Sequence, residues 1–137
     1  MLSSFISTTA GSTGGALLPV TLAAFQSTHA LEKRKKEAVR IRAKYPDRVP
    51  IIVENSDQSK DKLILTERKF LVPASLTVGA FVYVLRKRMK LPAEKALFVF
   101  VNNQLPPTAA LMASLDAQHR SEDGFLYASV SGENVFG

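Results

Sequence analysis

The residue whose type and position most clearly suggest a chemical role is the last one, Gly137. A glycine has no Cβ beside its carboxylate, so the active site of another enzyme can close around the backbone on both sides. The run that leads to it, residues 131 to 136, is polar and carries a single charge, on Glu133. This combination is typical of a terminal tail that another enzyme handles as its substrate.

The chain offers little catalytic chemistry of its own. It contains no cysteine, which excludes a disulfide framework, a thiolate nucleophile and a cysteine metal site, and its two histidines, His29 and His119, are far apart. Ser114, Asp116 and His119 share one short predicted helix at spacings that do not assemble a catalytic triad. Residues 11 to 15 are glycine-rich but lack the lysine of a phosphate-binding loop. We therefore expect no enzyme activity, no cofactor and no metal site.

Length and composition favour one compact domain with an acidic partner. The 137 residues are 46% hydrophobic and 22% charged, enough for one sizeable core. The net charge of +6 and a pI near 9.8 favour nucleic acid, anionic lipid headgroups or acidic stretches of other proteins. The basic residues of the first predicted helix lack interleaved aromatic side chains, so we expect no nucleic-acid partner.

Charge is distributed unevenly and marks a boundary near residue 30. Residues 1 to 30 contain no Lys, Arg, Asp or Glu, whereas residues 31 to 48 contain eight basic and three acidic side chains. The apolar stretch from Ala16 to Phe25 is shorter than the roughly 20 residues that span a bilayer. It also lacks the charged residues that secretory and mitochondrial targeting segments carry.

We expect this first region to have two parts. Residues 1–20 are Ser/Thr/Gly-rich and apolar, and we predict a poorly ordered extension. Residues 21–48 form a helical subdomain, with a short helix from Thr21 to Thr28. A role in targeting, or occupation of a groove by the extension, is the alternative.

Periodicity and turn residues predict the remaining elements. Thr77 can cap a helix that ends in the basic cluster Arg86, Lys87, Arg88 and Lys90, whose cations complement the helix dipole. The continuous apolar run from Leu97 to Val101 predicts a central strand that is buried on both faces, and the Asn102-Asn103 pair predicts a turn after it. The predicted helices cover residues 31–45, 78–90 and about 110–118, and the predicted strands cover 49–54, 69–72, 97–101 and 125–131.

This order predicts an α+β, ubiquitin-like β-grasp fold. In that fold a four-stranded mixed sheet wraps one central helix, and here one or two additional N-terminal helices precede it. The core would cover residues 49–131, and residues 132–137 would form a flexible tail that ends in the glycine.

Motifs in a specific order and spacing run from residue 29 to residue 137. They are Glu32-Lys33-Arg34, Tyr45-Pro46-Asp47-Arg48-Val49-Pro50, Lys69-Phe70-Leu71-Val72-Pro73, Leu76-Thr77-Val78-Gly79, Arg86-Lys87-Arg88, Phe100-Val101-Asn102-Asn103, Leu105-Pro106-Pro107-Thr108, Gly124-Phe125-Leu126-Tyr127 and Ser131-Gly132-Glu133-Asn134 before Phe136-Gly137. With these motifs the chain resembles the autophagy ubiquitin-like modifiers, which include GABARAP and the microtubule-associated light chain 3 proteins. It departs from their pattern at Glu67, where a basic residue is usual, and at Asp116, where an aromatic residue is common.

The resemblance implies conjugation through Gly137. In such a modifier the terminal glycine is activated, passed between enzyme cysteines as a thioester and joined to the amine of phosphatidylethanolamine. The implied partners are activating and conjugating enzymes, a deconjugating cysteine protease, peptide motifs of autophagy receptors and phosphatidylethanolamine membranes, with tubulin as a further candidate. The implied location is the cytoplasm, with transfer to the autophagosome membrane after lipidation.

The resemblance also implies a groove for aromatic-x-x-aliphatic peptide motifs. Pocket one, for the aromatic side chain, would consist of Ile41, Pro50, Ile52, Lys69, Leu71 and Phe125. Pocket two, for the aliphatic side chain, would consist of Phe70, Val72, Pro73, Leu76, Phe81, Val84 and Leu85. Rim charges would be Arg48, Glu67, Arg68 and Arg88. On pattern alone, the apolar members of both sets are ordinary core residues.

Two alternatives remain open from the sequence. An unconjugated ubiquitin-like adaptor would bind partners without depending on Gly137. A basic microtubule-binding or nucleic-acid-binding module would bind a polyanion with strong salt dependence and without using the groove.

Overall fold

A five-stranded mixed sheet organises the part of the chain that the structure, a computed structural model, describes, namely residues 5–7, 26 and 29–135. Its strands are β1 (Ile6–Ser7), β2 (Arg48–Asn55), β3 (Lys69–Pro73), β4 (Phe98–Phe100) and β5 (Leu126–Ser131). In space they follow the order β1-β3-β2-β5-β4, so β4 lies at an edge of the sheet and the prediction of a central strand at residues 97–101 is wrong. The pairs β1–β3 and β2–β5 are parallel, and the pairs β2–β3 and β4–β5 are antiparallel. The predicted β-grasp fold is confirmed, with β1 as an additional strand at one edge.

Three helices accompany the sheet in the described part of the chain: α1 (Leu31–Lys44), α2 (Val78–Met89) and α3 (Met112–His119). The predicted cap of α2 is confirmed, because Thr77 Oγ1 accepts a hydrogen bond from Ala80 N at 3.1 Å. The predicted basic end is confirmed as well, and α2 stops at Lys90 in the left-handed conformation. No helix among these described residues is long and apolar enough to cross a membrane.

The main core lies between the sheet and α2. β2 contributes Val49, Ile51 and Val53, which alternate with residues that face the other side of the sheet, as the two-residue period of a strand requires. Phe70 of β3 and Phe81 of α2 meet edge to face, with ring centroids 6.0 Å apart. This apolar core fixes the position of β3, the strand on which the candidate groove depends.

The loop between β4 and α3 contains the predicted turn. Asn102 and Asn103 both have positive φ, 53° and 62°, and they connect Val101 to Gln104 across an isolated bridge. This is the type I′ geometry that asparagine tolerates. α3 starts at Met112, two residues later than predicted, because Leu111 pairs with Thr77 in a second isolated bridge.

α1 packs on the opposite face of the sheet, against the turn that precedes β5. Gly124 in this turn has φ of +97°, and a Cβ built there would lie 2.8 Å from the Cβ of Ala38 on α1. Arg42 Nε donates to the carbonyl oxygen of Gly124 at 2.9 Å. Only a residue without a side chain allows this close approach, so Gly124 sets the distance between α1 and the sheet.

The N-terminal extension differs in part from the expectation. Residues 5–7 do not form the loose segment that composition favours, because β1 pairs with β3 at the edge of the sheet. The rest of the predicted extension lies outside the described residues. So does the predicted helix from Thr21 to Thr28, apart from Gln26.

Candidate functional site

The residues predicted for pocket one lie together on the α1 face of the sheet. Ile41 comes from α1, Ile52 from β2, Leu71 from β3 and Phe125 from the turn before β5, and each is at most 4% exposed. Pro50 is buried opposite Leu71 in the strand register. The structure therefore brings this set into one apolar cluster, although its use as a binding pocket stays a prediction.

The residues predicted for pocket two lie on the other face of the sheet and on α2, apart from Pro73, which ends β3 one residue after Val72. Phe70, Val72, Phe81 and Leu85 belong to the main core and are at most 1% exposed, as an ordinary core residue would be. Pro73, Leu76 and Val84 are half-buried and keep some surface. If pocket two exists, these three residues form its accessible part, because the other four face the interior.

The two faces are reached from one edge of the sheet because β3 is the last long strand. Val53 N donates to Arg68 O at 2.7 Å, and hydrogen-bonded pairs recur at every second residue of an antiparallel ladder. Phe70 therefore bonds towards β2, whereas the backbone groups of Lys69 and Leu71 point to the outer side. Residues three apart on an added strand would point to opposite faces, one towards each pocket.

The predicted rim charges have different environments. Arg48 Nη1 donates to the carbonyl oxygen of Leu71 at 3.2 Å, so it lies beside the outer edge of β3. Glu67 and Arg88 form an ion pair of 3.3 Å, and the Glu67 side chain is 11% exposed. Arg68 is a correction, because it is buried and 3.3 Å from Glu54, and it is not a rim charge.

The Glu54–Arg68 pair is the most deeply buried ion pair near this edge. Burial raises the pKa of Glu54 to about 7, although the charge of Arg68 opposes the rise. The same burial lowers the pKa of Arg68 from its ordinary value. Glu54 Oε2 is buried without a hydrogen-bond partner in the structure.

Phe5 is a residue of this site that the sequence did not indicate. It is 9% exposed, and its ring stacks on Phe125 at a centroid distance of 5.6 Å and an interplanar angle of 21°. Lys69 Nζ lies 5.3 Å from the centroid of the Phe5 ring and 3.2 Å from Glu37 Oε2. An aromatic residue in an otherwise Ser/Thr/Gly-rich stretch was the available signal, but nothing local connected it to β3.

Asp116 joins α3 to α1. Its carboxylate accepts hydrogen bonds from Arg42 at 2.7 and 2.9 Å and from Arg120 at 2.7 and 3.3 Å. Burial opposes its ionisation, but these hydrogen bonds outweigh burial and lower the pKa of Asp116. The Asp116 carboxylate therefore holds α1 against α3 through Arg42. Within the described ranges, no group of three or more His, Cys, Asp or Glu side chains could hold a metal ion.

The tail leaves β5 through contacts with the loop between β2 and β3. Ser131 Oγ hydrogen-bonds Ser59 Oγ at 2.7 Å, and Glu133 Oε2 accepts a hydrogen bond from the backbone N–H of Lys60 at 2.7 Å. Asn134 and the side chain of Glu133 are exposed. Gly137, the predicted conjugation residue, lies outside the described residues.

These observations define a ubiquitin-like protein: a β-grasp core, an added α1 on the outer face, and a tail that leaves the last strand. A family model described as "Autophagy protein Atg8 ubiquitin like" matches residues 33–137. The chain belongs to the Atg8 family.

Similar proteins agree with this assignment. Autophagy-related protein 8d of Arabidopsis thaliana is 58% identical over 118 residues, which cover 86% of this chain and 98% of the relative. Among solved structures, Trypanosoma brucei ATG8 is 47% identical with a TM-score of 0.74, and the match covers 82% of this chain and 97% of that chain. Plasmodium falciparum Atg8, solved in complex with a Plasmodium falciparum Atg3 peptide, is 33% identical with a TM-score of 0.72, over 85% of this chain and 98% of that one.

Proposed function

We propose that this chain is a ubiquitin-like modifier that is conjugated through Gly137 to phosphatidylethanolamine and acts in autophagosome formation. Adenylation would activate the carboxylate, an enzyme cysteine would hold it as a thioester, and the lipid amine would then displace the thiol. The observation that carries the proposal is the family match, which extends to residue 137, the glycine itself.

The geometry of the tail is compatible with this chemistry. An activating enzyme must reach a carboxylate through a narrow channel, which requires an extended chain with small or polar side chains. The tail leaves β5 at Ser131, and exposed Glu133 and Asn134 continue towards the glycine. The contacts of Ser131 and Glu133 with the neighbouring loop fix where the tail starts.

We propose that the partners include the activating and conjugating enzymes and a deconjugating cysteine protease, with tubulin as a further candidate. The Atg3 peptide bound to the Plasmodium falciparum Atg8 supports a conjugating-enzyme partner for this chain. The protein would start in the cytoplasm and become membrane-bound on lipidation. Each buried CH₂ of an acyl chain contributes about 0.8 kcal/mol, so two chains anchor stably. The net charge of +6 would add attraction to anionic lipid.

We also propose that the outer edge of β3 docks short peptides of the aromatic-x-x-aliphatic type from autophagy receptors. A peptide that adds as a strand gains backbone hydrogen bonds from Lys69 and Leu71, and side-chain pockets supply specificity. Because residues three apart on a strand face opposite sides, the aromatic side chain would enter pocket one while the aliphatic side chain reaches pocket two.

Conjugation can be tested with purified components. The parent chain and a chain without Gly137 are incubated with activating and conjugating enzymes, ATP and phosphatidylethanolamine vesicles, and intact mass is measured. The parent should gain the mass of the lipid minus water, and the shortened chain should not. Asn134→Ala, which changes the tail but keeps the glycine, is the matched control and should react like the parent. A folded parent chain that gains no lipid would instead favour the unconjugated adaptor.

Docking can be tested with two pocket variants. Ile52→Ala and Leu71→Ala should each weaken an aromatic-x-x-aliphatic peptide by about 1 to 3 kcal/mol while the domain stays folded. Ile64→Ala is the control, because Ile64 is 82% exposed and lies outside both pockets. Unchanged peptide affinity in both folded pocket variants would refute the assignment of pocket one.

A further inference from the structure

The pocket that the proposed function reserves for a partner's aromatic side chain already contains one from the same chain. Phe5 is buried among Ala38, Ile41, Ile52 and Leu71 and stacks on Phe125. It lies 26 residues before Leu31, the first residue of α1, and is joined to the domain only through the extension. The Phe5 ring contacts the same apolar surface that the aromatic side chain of a peptide ligand would contact. It also makes the cation–π contact with Lys69 that such a ligand would make.

The backbone of the same segment occupies the edge of β3. Ile6 pairs with Phe70 and Ser7 pairs with Leu71, in parallel register. A strand that adds to this edge needs the outward backbone groups of Lys69 and Leu71, so β1 and a partner peptide cannot bind there at the same time.

We propose that residues 5–7 are an internal ligand of the groove, and that a partner peptide binds only after it displaces them. The inference rests on the proposed docking function of the groove. It adds that the chain itself sets the affinity threshold that a partner must exceed.

The segment is built to be displaced rather than to close the groove permanently. Within the described residues, β1 pairs with β3 over two positions, whereas β2 and β3 pair over five. The residue three positions after Phe5 is Thr8, which is smaller and more polar than the aliphatic residue of the expected motif, and residues 1–30 contain no acidic side chain. A peptide with acidic residues, an aromatic residue and a large aliphatic residue three positions later should therefore have a higher intrinsic affinity for the groove than residues 5–7. Attachment to the same chain gives the segment a local concentration of about millimolar order, which offsets its weakness.

The test uses the full chain and a synthetic probe peptide of three acidic residues, tryptophan, two polar residues and leucine. Phe5→Ala should tighten the probe about three- to tenfold, which corresponds to a segment seated in roughly 70 to 90% of molecules. Phe5→Trp should change the affinity in the opposite direction, because tryptophan has more apolar surface and interacts more strongly with a cation. Ile64→Ala is the control and should leave the affinity unchanged. A free peptide of residues 1–10 should compete with the probe on the Phe5→Ala chain.

A second measurement does not depend on the probe. The backbone amide of Leu71 points towards β1, so its hydrogen exchange should be faster in Phe5→Ala than in the parent, while the amides of β5 in the sheet centre stay unchanged. Circular dichroism and thermal unfolding check that both chains are folded.

The outcomes separate this inference from the proposed function. Equal probe affinity and equal Leu71 exchange in the parent and Phe5→Ala chains would overturn the internal ligand. Faster Leu71 exchange in Phe5→Ala without probe binding to either chain would support the internal ligand and overturn the docking function. Slow Leu71 exchange only in a dimer that dissociates on dilution would overturn the inference, because the segment would then bind a second copy of the chain.

Discussion

The sheet carries a large apolar core on its α2 face and a small apolar cluster on its α1 face. Among the described residues, seventeen buried side chains form the first and six form the second, and one of those six is Phe5. α1 is held over the small cluster by ion pairs as well, from Arg34 to Asp123 and from Arg42 to Asp116, both at 2.7 Å.

Under the proposed docking function, this difference separates the part of the domain that maintains the fold from the part that would bind and release a ligand. Truncation of a central side chain in a large core lowers the free energy of unfolding of the whole domain. A small cluster in which one aromatic comes from a separate segment can open locally while the rest of the sheet stays paired. Pocket one of the proposed groove therefore lies on the face where we expect local opening to cost the least free energy.

The largest expected effect is the loss of stability when a core side chain on the α2 face is truncated. Phe81→Ala removes a ring that is 1% exposed and meets Phe70 edge to face, and it should lower the free energy of unfolding by about 3 to 5 kcal/mol in denaturant titration. Phe5→Ala on the α1 face should lower it by about 1 kcal/mol or less, because the segment detaches without unfolding the domain. An equal loss of free energy of unfolding in Phe81→Ala and Phe5→Ala would contradict the expected difference between the two faces.

The next effect concerns the buried pair beside β3. The pKa of Glu54 rises from 4.5 to about 7 on folding, so the folded chain holds a proton there that the unfolded chain releases. The associated stability is complete below pH 4.5 and is lost as pH rises towards 7, by up to roughly 3 kcal/mol. Unfolding titrations should show this decline, and Glu54→Gln should flatten it while keeping a hydrogen-bond acceptor for Arg68. A decline of the same size in Glu54→Gln would exclude Glu54 as its source.

A smaller effect loosens the α1 face alone. Asp116→Asn keeps the shape of the side chain but weakens its hydrogen bonds with Arg42 and Arg120, and it should cost about 1 to 2 kcal/mol, since both arginines keep contact with water. Hydrogen exchange should become faster in α1 and stay unchanged in α2. Glu122→Gln, an exposed change in the next turn, is the control. Faster exchange throughout the sheet would place the effect of Asp116 in the main core instead.

The smallest effect concerns the rim of the groove. Glu67→Lys should tighten an acidic peptide by up to about 1 kcal/mol, more at low salt, because it removes a carboxylate and leaves Arg88 without that partner. The ion pair already neutralises much of the Glu67 charge, so the gain should be modest. Isothermal titration at two salt concentrations measures it. A preference of Glu67→Lys for a basic peptide would refute the placement of Glu67 on this rim.

Most elements of the fold could be predicted because their signals are local. Thr77 caps α2 within three residues, and the Asn102-Asn103 pair tolerates the positive φ of its turn. The run from Val49 to Glu54 predicted β2 as a strand, and the structure adds that this strand is buried on both faces.

The features that could not be predicted depend on contacts between distant residues. Arg68 follows Glu67 in a charged run, and only the folded structure shows that it is buried and lies 3.3 Å from Glu54. A two-residue strand has no periodicity to detect, so Phe5 gave no sign of its place beside Phe125. For the same reason, occupation of a groove by the extension was an alternative from the sequence, but the contact of Phe5 with Phe125 was not predicted.

A methyl NMR titration of the full chain with the acidic aromatic-x-x-aliphatic peptide shows which face of the sheet receives the aromatic side chain. We expect large chemical-shift changes for the methyl groups of Ile41, Ile52 and Leu71 on the α1 face, and small changes for Val49, Ile51 and Val53 beneath α2. Large changes in the second set with none in the first would show that the aromatic side chain does not bind on the α1 face and would refute pocket one.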